Sequence, residues 1–173
     1  RRFMPAEDEG AGKQGQAALR YQADCLHQLL QAMHKCCEER EGHEQYLFGL
    51  PCSEMHCLLL FSSRRHSTLT QVSRDLGVAK SRAAALIDAL VTKGLAQRSP
   101  DPQDARIKLV TLTRSGSKKL HAVQCYQATM YEQVLQKLSP QERDQVLTCL
   151  EKLTYCMELV KEEMGEEGEV LRP

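Results

Sequence analysis

The stretch RSPDPQDARIKLVTLTRSG, from Arg98 to Gly116, decides how this chain is read. Extended runs flank a charged turn. Leu95 to Arg98 precede it, and Ile107 to Leu112 follow it, where Ile107, Leu109 and Thr111 alternate with Lys108, Val110 and Leu112. Alternation at period two is the mark of a strand with two unlike faces. The intervening SPDPQDA holds two prolines and two aspartates. Proline lacks the ladder N–H and aspartate bonds its own backbone, so the segment is expected neither to carry on a strand nor to start a helix.

Upstream lies LTQVSRDLGVAKSRAAALIDALVTKG. Thr70 is expected to cap a short helix running to about Leu76, Gly77 to supply a tight turn, and Lys80 to Lys93 to form a second helix stopped by Gly94 in the left-handed region. On that helix Ala83, Leu86, Ile87 and Leu90 fall at helical spacing and mark a core face. Lys80, Ser81, Arg82, Ala84, Ala85 and Asp88 point away from it. Two helices, a tight turn and a two-stranded hairpin in this order spell a winged helix-turn-helix, a module whose second helix presents its outward face to a DNA major groove.

The run from Leu69 to Gly116 resembles the multiple-antibiotic-resistance regulator (MarR) family. The resemblance rests on the leucine-threonine helix start at Leu69 and Thr70, the Gly77-Val78 turn, and the helix ending LVTKGL from Leu90 to Leu95. It extends through Arg98, the Asp104 and Arg106 pair of the wing, and the LTRSG exit from Leu112 to Gly116. It implies a mainly α fold with a small β wing: a DNA-binding lobe plus a helical dimerisation region. It also implies a homodimer on a pseudo-palindromic operator in double-stranded DNA, a repressor's mode of action, and release by a small aromatic ligand or by oxidation. By resemblance, Arg106 is the wing-tip arginine that enters the minor groove, and Asp104 orients it. A guanidinium is favoured where a narrow groove concentrates negative potential.

Other contacts follow from chemistry and position. Lys80, Ser81 and Arg82 occupy the first turn of the recognition helix, where side chains and backbone donors meet phosphates or base edges. Arg64, Arg65, Arg74, Arg98 and Lys108 are expected to bind phosphates. Ala84 and Ala85 depart from the family pattern, in which polar residues often stand at such outward positions. An alanine can touch a thymine methyl but makes no bidentate base contact. Gln103 and Ala105 likewise stand where basic wing residues are common. A winged helix used for protein contacts is the alternative these departures keep open.

Charge is unevenly divided along the chain. The formal net charge is zero, yet residues 64–119 carry +8, residues 1–63 carry −3 and residues 120–173 carry −5. A basic centre between acidic ends suits polyanion binding on one face.

The helical patterns outside this segment read as a dimerisation frame. From Gln16 to Glu39 the positions Tyr21, Cys25, Leu26, Leu29, Leu30, Met33 and Cys36 trace one face of a helix. EREGHEQ is expected to break it, and Pro51 to open another helix to about Ser62. After the wing, Leu120, Val123, Tyr126, Met130, Val134 and Leu138 mark a helix that stops before Ser139. SPQE then offers a capping box. Val146, Leu150, Leu153, Met157 and Val160 form a seam suited to a second long helix. The expected organisation is a terminal segment outside the fold at 1–15, N-terminal helices at 16–62, the DNA-binding lobe at 63–116, C-terminal dimerisation helices at 117–164 and a frayed acidic tail at 165–173.

The eight cysteines do not suggest a disulfide framework in a cytoplasmic protein, and most read as small core residues. The redox candidates are the vicinal Cys36 and Cys37, beside His34, Lys35 and Arg40, and Cys25, four residues after Tyr21. A redox-sensing regulator built on them is a variant of the main reading. Cys52 and His56, at i and i+4, are expected to share a helix face, but two ligands do not make a metal site, and further ones would have to come from elsewhere, such as His34 or His43. No metal or cofactor is assigned. Glycine-rich phosphate loops, HExxH and nucleophile elbows are lacking, so no enzyme is expected. No apolar run reaches the roughly 18 residues of a membrane span, and the opening RRFMPAEDEGAGKQG is polar rather than signal-like. The expectation is a soluble, cytoplasmic protein.

Overall fold

The computed structural model describes residues 9–104 and 106–170, with side chains over 15–104 and 106–164. The helices are α1 (Glu9–Phe48), α2 (Cys52–Leu59), α3 (Leu69–Asp75), α4 (Lys80–Thr92), α5 (Arg114–Gln136) and α6 (Pro140–Val170), with a 3-10 turn at Leu60–Ser62. The strands are β1 (His66–Thr68), β2 (Ala96–Pro100) and β3 (Lys108–Leu112). They form one antiparallel sheet in the order β1-β3-β2. The fold is mainly helical with a small β wing, as the sequence suggests. The chain divides after Leu120 into two units.

The core of the first unit forms where α2 and α3 pack against α4. Cys57 and Leu58 of α2, Val72 of α3, and Ala83, Leu86, Ile87 and Leu90 of α4 are buried, together with Leu95, Ala96 and Val110. The four α4 positions are those the helical spacing marks as the inward face. Gly77 and Gly94 both have positive φ, +63° and +69°, and so end α3 and α4 as the sequence suggests.

Several boundaries differ from the sequence reading. EREGHEQ does not break α1, which runs on to Phe48. Arginine, glutamate and glutamine are good helix formers, and the single Gly42 costs only about 1 kcal/mol against alanine. The buried Glu44 pairs with Arg40 one turn earlier, an i,i+4 pair that supports the helix through this stretch. Gly49, at φ +63°, ends the helix instead.

The cap of α3 is Thr68, not Thr70. The Thr68 hydroxyl accepts from the Gln71 N–H, and the Gln71 side chain accepts from the Thr68 N–H at 2.8 Å. That reciprocal box ends β1, a third strand beyond the two-stranded hairpin expected from sequence. β1 is short and pairs only with β3, through His66 to Thr111, Ser67 to Val110 and Thr68 to Leu109. In the wing, β2 extends through Ser99 to Pro100, opposite Lys108. It is an edge strand, where proline's missing N–H is tolerated. On β3 it is Val110 that is buried, while Ile107 is 41% exposed.

In the second unit, α5 gives way to α6 at the expected capping box. The Ser139 N–H donates to Glu142 Oε2 at 2.7 Å, and the Glu142 N–H donates to Ser139 Oγ at 3.3 Å. These bonds hold the Glu142 carboxyl below the usual carboxylate range. Arg143 Nε donates to the carbonyls of Leu135 and Leu138, at 2.7 and 3.1 Å, and so satisfies the open end of α5. Helix α1 starts at Glu9 and α6 reaches Val170, whereas the sequence reading placed boundaries at 16 and 164. The rest of the two terminal segments, 1–8 and 171–173, lies outside the described residues.

The cysteines are less buried than their apolar neighbours suggest. Cys57 alone is buried. Cys25 and Cys52 are half-buried, and Cys36, Cys37, Cys125, Cys149 and Cys156 are exposed. The reason is visible along α1 and α6, whose apolar positions Leu19, Leu29, Met33, Val146, Leu150, Met157 and Val160 are themselves exposed in the single chain.

Candidate nucleic-acid interface

Helix α4 is positioned from both ends. At its start, the Ser73 hydroxyl donates to the Val78 carbonyl at 2.7 Å, and the Val78 N–H donates to the Ser73 carbonyl at 3.0 Å, closing the turn between α3 and α4. At its end, Lys93 Nζ reaches the buried carboxylate of Glu54 on α2 at 2.6 Å. Neither Ser73 nor the Glu54 and Lys93 pair was singled out from sequence. Ser73 sits at an ordinary turn position, and the charged pair is 39 residues apart.

The outward face of α4 is open. Lys80, Ser81, Arg82, Ala85 and Asp88 are exposed and Ala84 is half-buried. The cap residue Ala79 provides no side-chain acceptor, so the N–H groups of the first turn are left for solvent or an anion. Two cations, Lys80 and Arg82, flank those donors.

The wing is built by its aspartates. Asp101 Oδ1 accepts from the Gln103 N–H at 2.7 Å, and Asp104 Oδ1 accepts from the Arg106 N–H at 2.9 Å. The backbone closes between them, with the Ile107 N–H donating to the Asp104 carbonyl at 2.9 Å and the Asp101 N–H to the Ile107 carbonyl at 2.9 Å. Asp104 therefore acts on Arg106 through the main chain, where the sequence reading had it orient the arginine. The Arg106 side chain is exposed at the tip, as is Lys108 at the start of β3. Ala105 lies outside the described residues.

Two of the expected phosphate contacts are engaged within the fold. Arg98 of β2 pairs with Asp88 of α4 at 2.9 Å, which joins the wing to the outward face of the helix and offsets its one acid. Arg64 pairs with Asp75 at 2.6 Å, and Arg74 stands 3.6 Å from the same carboxylate with most of its side chain exposed. Among the described residues Lys80, Arg82, Arg65, Arg106 and Lys108 form no ion pair.

The redox candidates are dispersed on α1. Cys36 and Cys37 are exposed, Cys25 is half-buried, and His34 pairs with Glu38 at 3.3 Å. Cys52 has different company. Its thiol donates to Glu41 Oε2 at 2.8 Å and lies 3.6 Å from His56 Nε2. Burial, and then the hydrogen bond and charge of Glu41, push that thiol up to about 11. Burial also pushes Cys57 up to about 11, with the charge of Glu54 adding to the effect.

Residues 50–108 match the family model of the MarR family. Over this segment the chain is of the MarR family. The matched segment begins just ahead of α2 and ends at the start of β3, so it holds the MarR-family helix-turn-helix and most of the wing. HTH-type transcriptional regulator YkoM of Bacillus subtilis is 26% identical over 127 residues, covering 73% of this chain and 82% of that one. YxaD, another such regulator from the same organism, is 37% identical over 73 residues, covering 42% and 49%. Among solved structures, a MarR family protein from Bacillus stearothermophilus superposes with TM-score 0.73 at 19% identity, covering 80% of this chain and 97% of that one. Streptococcus pneumoniae FabT in complex with DNA superposes with TM-score 0.70 at 20% identity, covering 78% and 99%. The S. aureus MepR–DNA complex gives TM-score 0.62 at 22% identity, covering 74% and 95%. These likenesses extend beyond the matched segment to the long helices of the MarR fold.

Proposed function

We propose that this MarR-family transcriptional regulator acts as a homodimer that holds a pseudo-palindromic duplex and represses by occluding a promoter. The observation that carries the reading is the uncapped first turn of α4, with Lys80, Ser81 and Arg82 exposed, joined through Asp88 and Arg98 to a wing that presents Arg106. Such a surface offers backbone donors and cations to phosphates, and a guanidinium to the minor groove. Two fold relatives, FabT and MepR, have been solved on DNA.

Dimerisation is supported by the exposed apolar faces of α1 and α6. Many exposed apolar side chains along one helix mark an interaction site. Two-fold pairing would set two recognition helices about one DNA turn apart, so half-sites should recur at ~10 base pairs. With Ala84 and Ala85 on the outward face, base readout is thin and the wing carries much of the selectivity through groove shape. Release by a small aromatic effector rests on the family resemblance. Release by oxidation would act through the exposed Cys36 and Cys37.

The test is a fluorescence-anisotropy titration of the reduced protein against duplex from its own upstream region, beside a scrambled duplex, at two salt concentrations and again after mild peroxide. Tight, salt-sensitive binding to the native duplex alone supports the regulator. Loss after peroxide, restored by reductant, adds the thiol switch. Equal, weak binding to both duplexes overturns the DNA reading in favour of a protein-contact module.

A further inference from the structure

Glu41 of α1 and Cys52 and His56 of α2 bring three different metal-ligating groups together, with all donor atoms within 4.8 Å of one another. Cys52 Sγ lies 3.6 Å from His56 Nε2, and His56 Nε2 lies 3.7 Å from Glu41 Oε1. We propose that these residues bind a divalent transition ion of the zinc class, clamping the end of α1 to the start of α2.

The distances suit the ion. Around a tetrahedral zinc, with bonds of about 2.3 Å to sulfur and about 2.0–2.1 Å to nitrogen and oxygen, neighbouring ligand atoms stand roughly 3.4–3.6 Å apart. The S···N separation of 3.6 Å falls within that spacing, and the N···O separation of 3.7 Å lies just above it. The sulfur–carboxylate edge, measured to the other oxygen of Glu41 (Sγ to Oε2, 2.8 Å), is short because a thiol proton now bridges it. Replacing that proton by the ion lengthens the edge to the tetrahedral value, and the proton leaves to solvent: Zn²⁺ and Cys–SH become a zinc thiolate and H⁺.

The donor set selects the ion class. A thiolate and an imidazole disfavour calcium and magnesium, which take oxygen ligands, and favour zinc or its close neighbours. Thiolate and carboxylate together balance the ion's charge, and Arg40, whose guanidinium lies 3.9 Å from Glu41, offsets the neighbouring carboxylates when the site is empty. Three protein ligands leave a fourth position for water. Because α2 packs on α4, the clamp would stiffen the support of the recognition helix.

Cobalt(II), added to the whole protein with a non-thiol reductant, tests the site. The expected result is one equivalent bound with a cobalt–thiolate charge-transfer band and the visible bands of a four-coordinate ion. Both should vanish in C52S and in H56Q and persist in C125S, which removes the rival Cys125 and His121 pair. Zinc chloride should displace the cobalt and raise the Tm of the wild type, leaving H56Q unmoved. His56 is largely exposed, so H56Q keeps the fold, and circular dichroism verifies this for each variant. A thiolate band that survives in folded C52S or H56Q, or no such band in the wild type, overturns the proposal.

Discussion

A β-carbon on Gly116 would stand 1.9 Å from the carbonyl oxygen of Leu95. That carbonyl also accepts from the Thr113 N–H at 3.0 Å, and Thr113 Oγ1 donates to the Gly94 carbonyl at 2.7 Å. The first turn of α5 is thus laid against the backbone that leaves α4, and only glycine leaves room for it. The wing hairpin, β2 to β3, is held between these two points.

Gly116→Ala is accordingly expected to lower stability by about 1–3 kcal/mol or more, since backbone, not a flexible side chain, must move. Gly42→Ala is expected to act in the opposite sense, by about 0.5–1 kcal/mol, because Gly42 lies within α1 and an added β-carbon meets nothing within 4 Å. Urea unfolding of both variants checks the pair. A neutral Gly116→Ala would show that the α5 start is not pinned to Leu95.

Arg106→Ala should weaken binding to the native duplex by about 1–3 kcal/mol while leaving the fold intact. The wing turn is held by Asp101 and Asp104 through backbone N–H groups, so the arginine's side chain can be removed without unravelling it. Anisotropy titration, with circular dichroism alongside, separates the two effects. Unchanged affinity would take the wing out of the mechanism.

Asp88→Asn should tighten non-specific DNA binding and steepen its salt dependence. The substitution removes the one acid on the outward face of α4 and frees Arg98 from its 2.9 Å pair. A newly available phosphate contact adds about 0.9 to the slope of log K against log salt. A slope equal to that of the wild type would mean that Arg98 does not reach the backbone of DNA.

The thiols should divide by reactivity. At neutral pH, alkylation followed by mass spectrometry should label the exposed Cys36 and Cys37 well before Cys52 and Cys57, whose thiols are held protonated, up to about 11. The same shift has a stability consequence. Folding favours the protonated thiols, so their contribution is complete below the ordinary value of 9.0 and is lost as pH rises towards 11. The urea midpoint should fall across that window, and less steeply in a Cys52→Ser, Cys57→Ala double variant.

Local pattern located the helix-turn-helix and the wing. Ala83, Leu86, Ile87 and Leu90 recur at the helical period and are buried, and Gly77 and Gly94 adopt the positive φ that their turns require. SPQE closes its box within four residues. Each of these is decided by residues one or two turns apart, and the chemistry of such neighbours is written in their order along the chain.

Positions that depend on a distant partner were not legible. The break expected at EREGHEQ failed in part because Glu44 is buried, which depends on what packs over it, whereas its pairing with Arg40 one turn earlier is local. β1 was missed because three residues make no strand until β3 supplies the ladder. Whether an arginine is available to a phosphate was also beyond the sequence. Arg64 and Arg98 read like Arg65 and Lys108 until Asp75 and Asp88 arrive from other elements. Glu41 joins Cys52 and His56 only because α1 runs on unbroken past the expected stop.

The sequence by itself therefore determined the kind of module this protein contains and which face of α4 looks outward, because periodicity and turn chemistry act over a few residues. Tertiary structure alone decided which charges remain unpaired on that face, why Gly116 has no substitute, and how a glutamate, a cysteine and a histidine converge. Ion pairing, close backbone approach and ligand geometry depend on distances through space, and those exist only once the elements have packed.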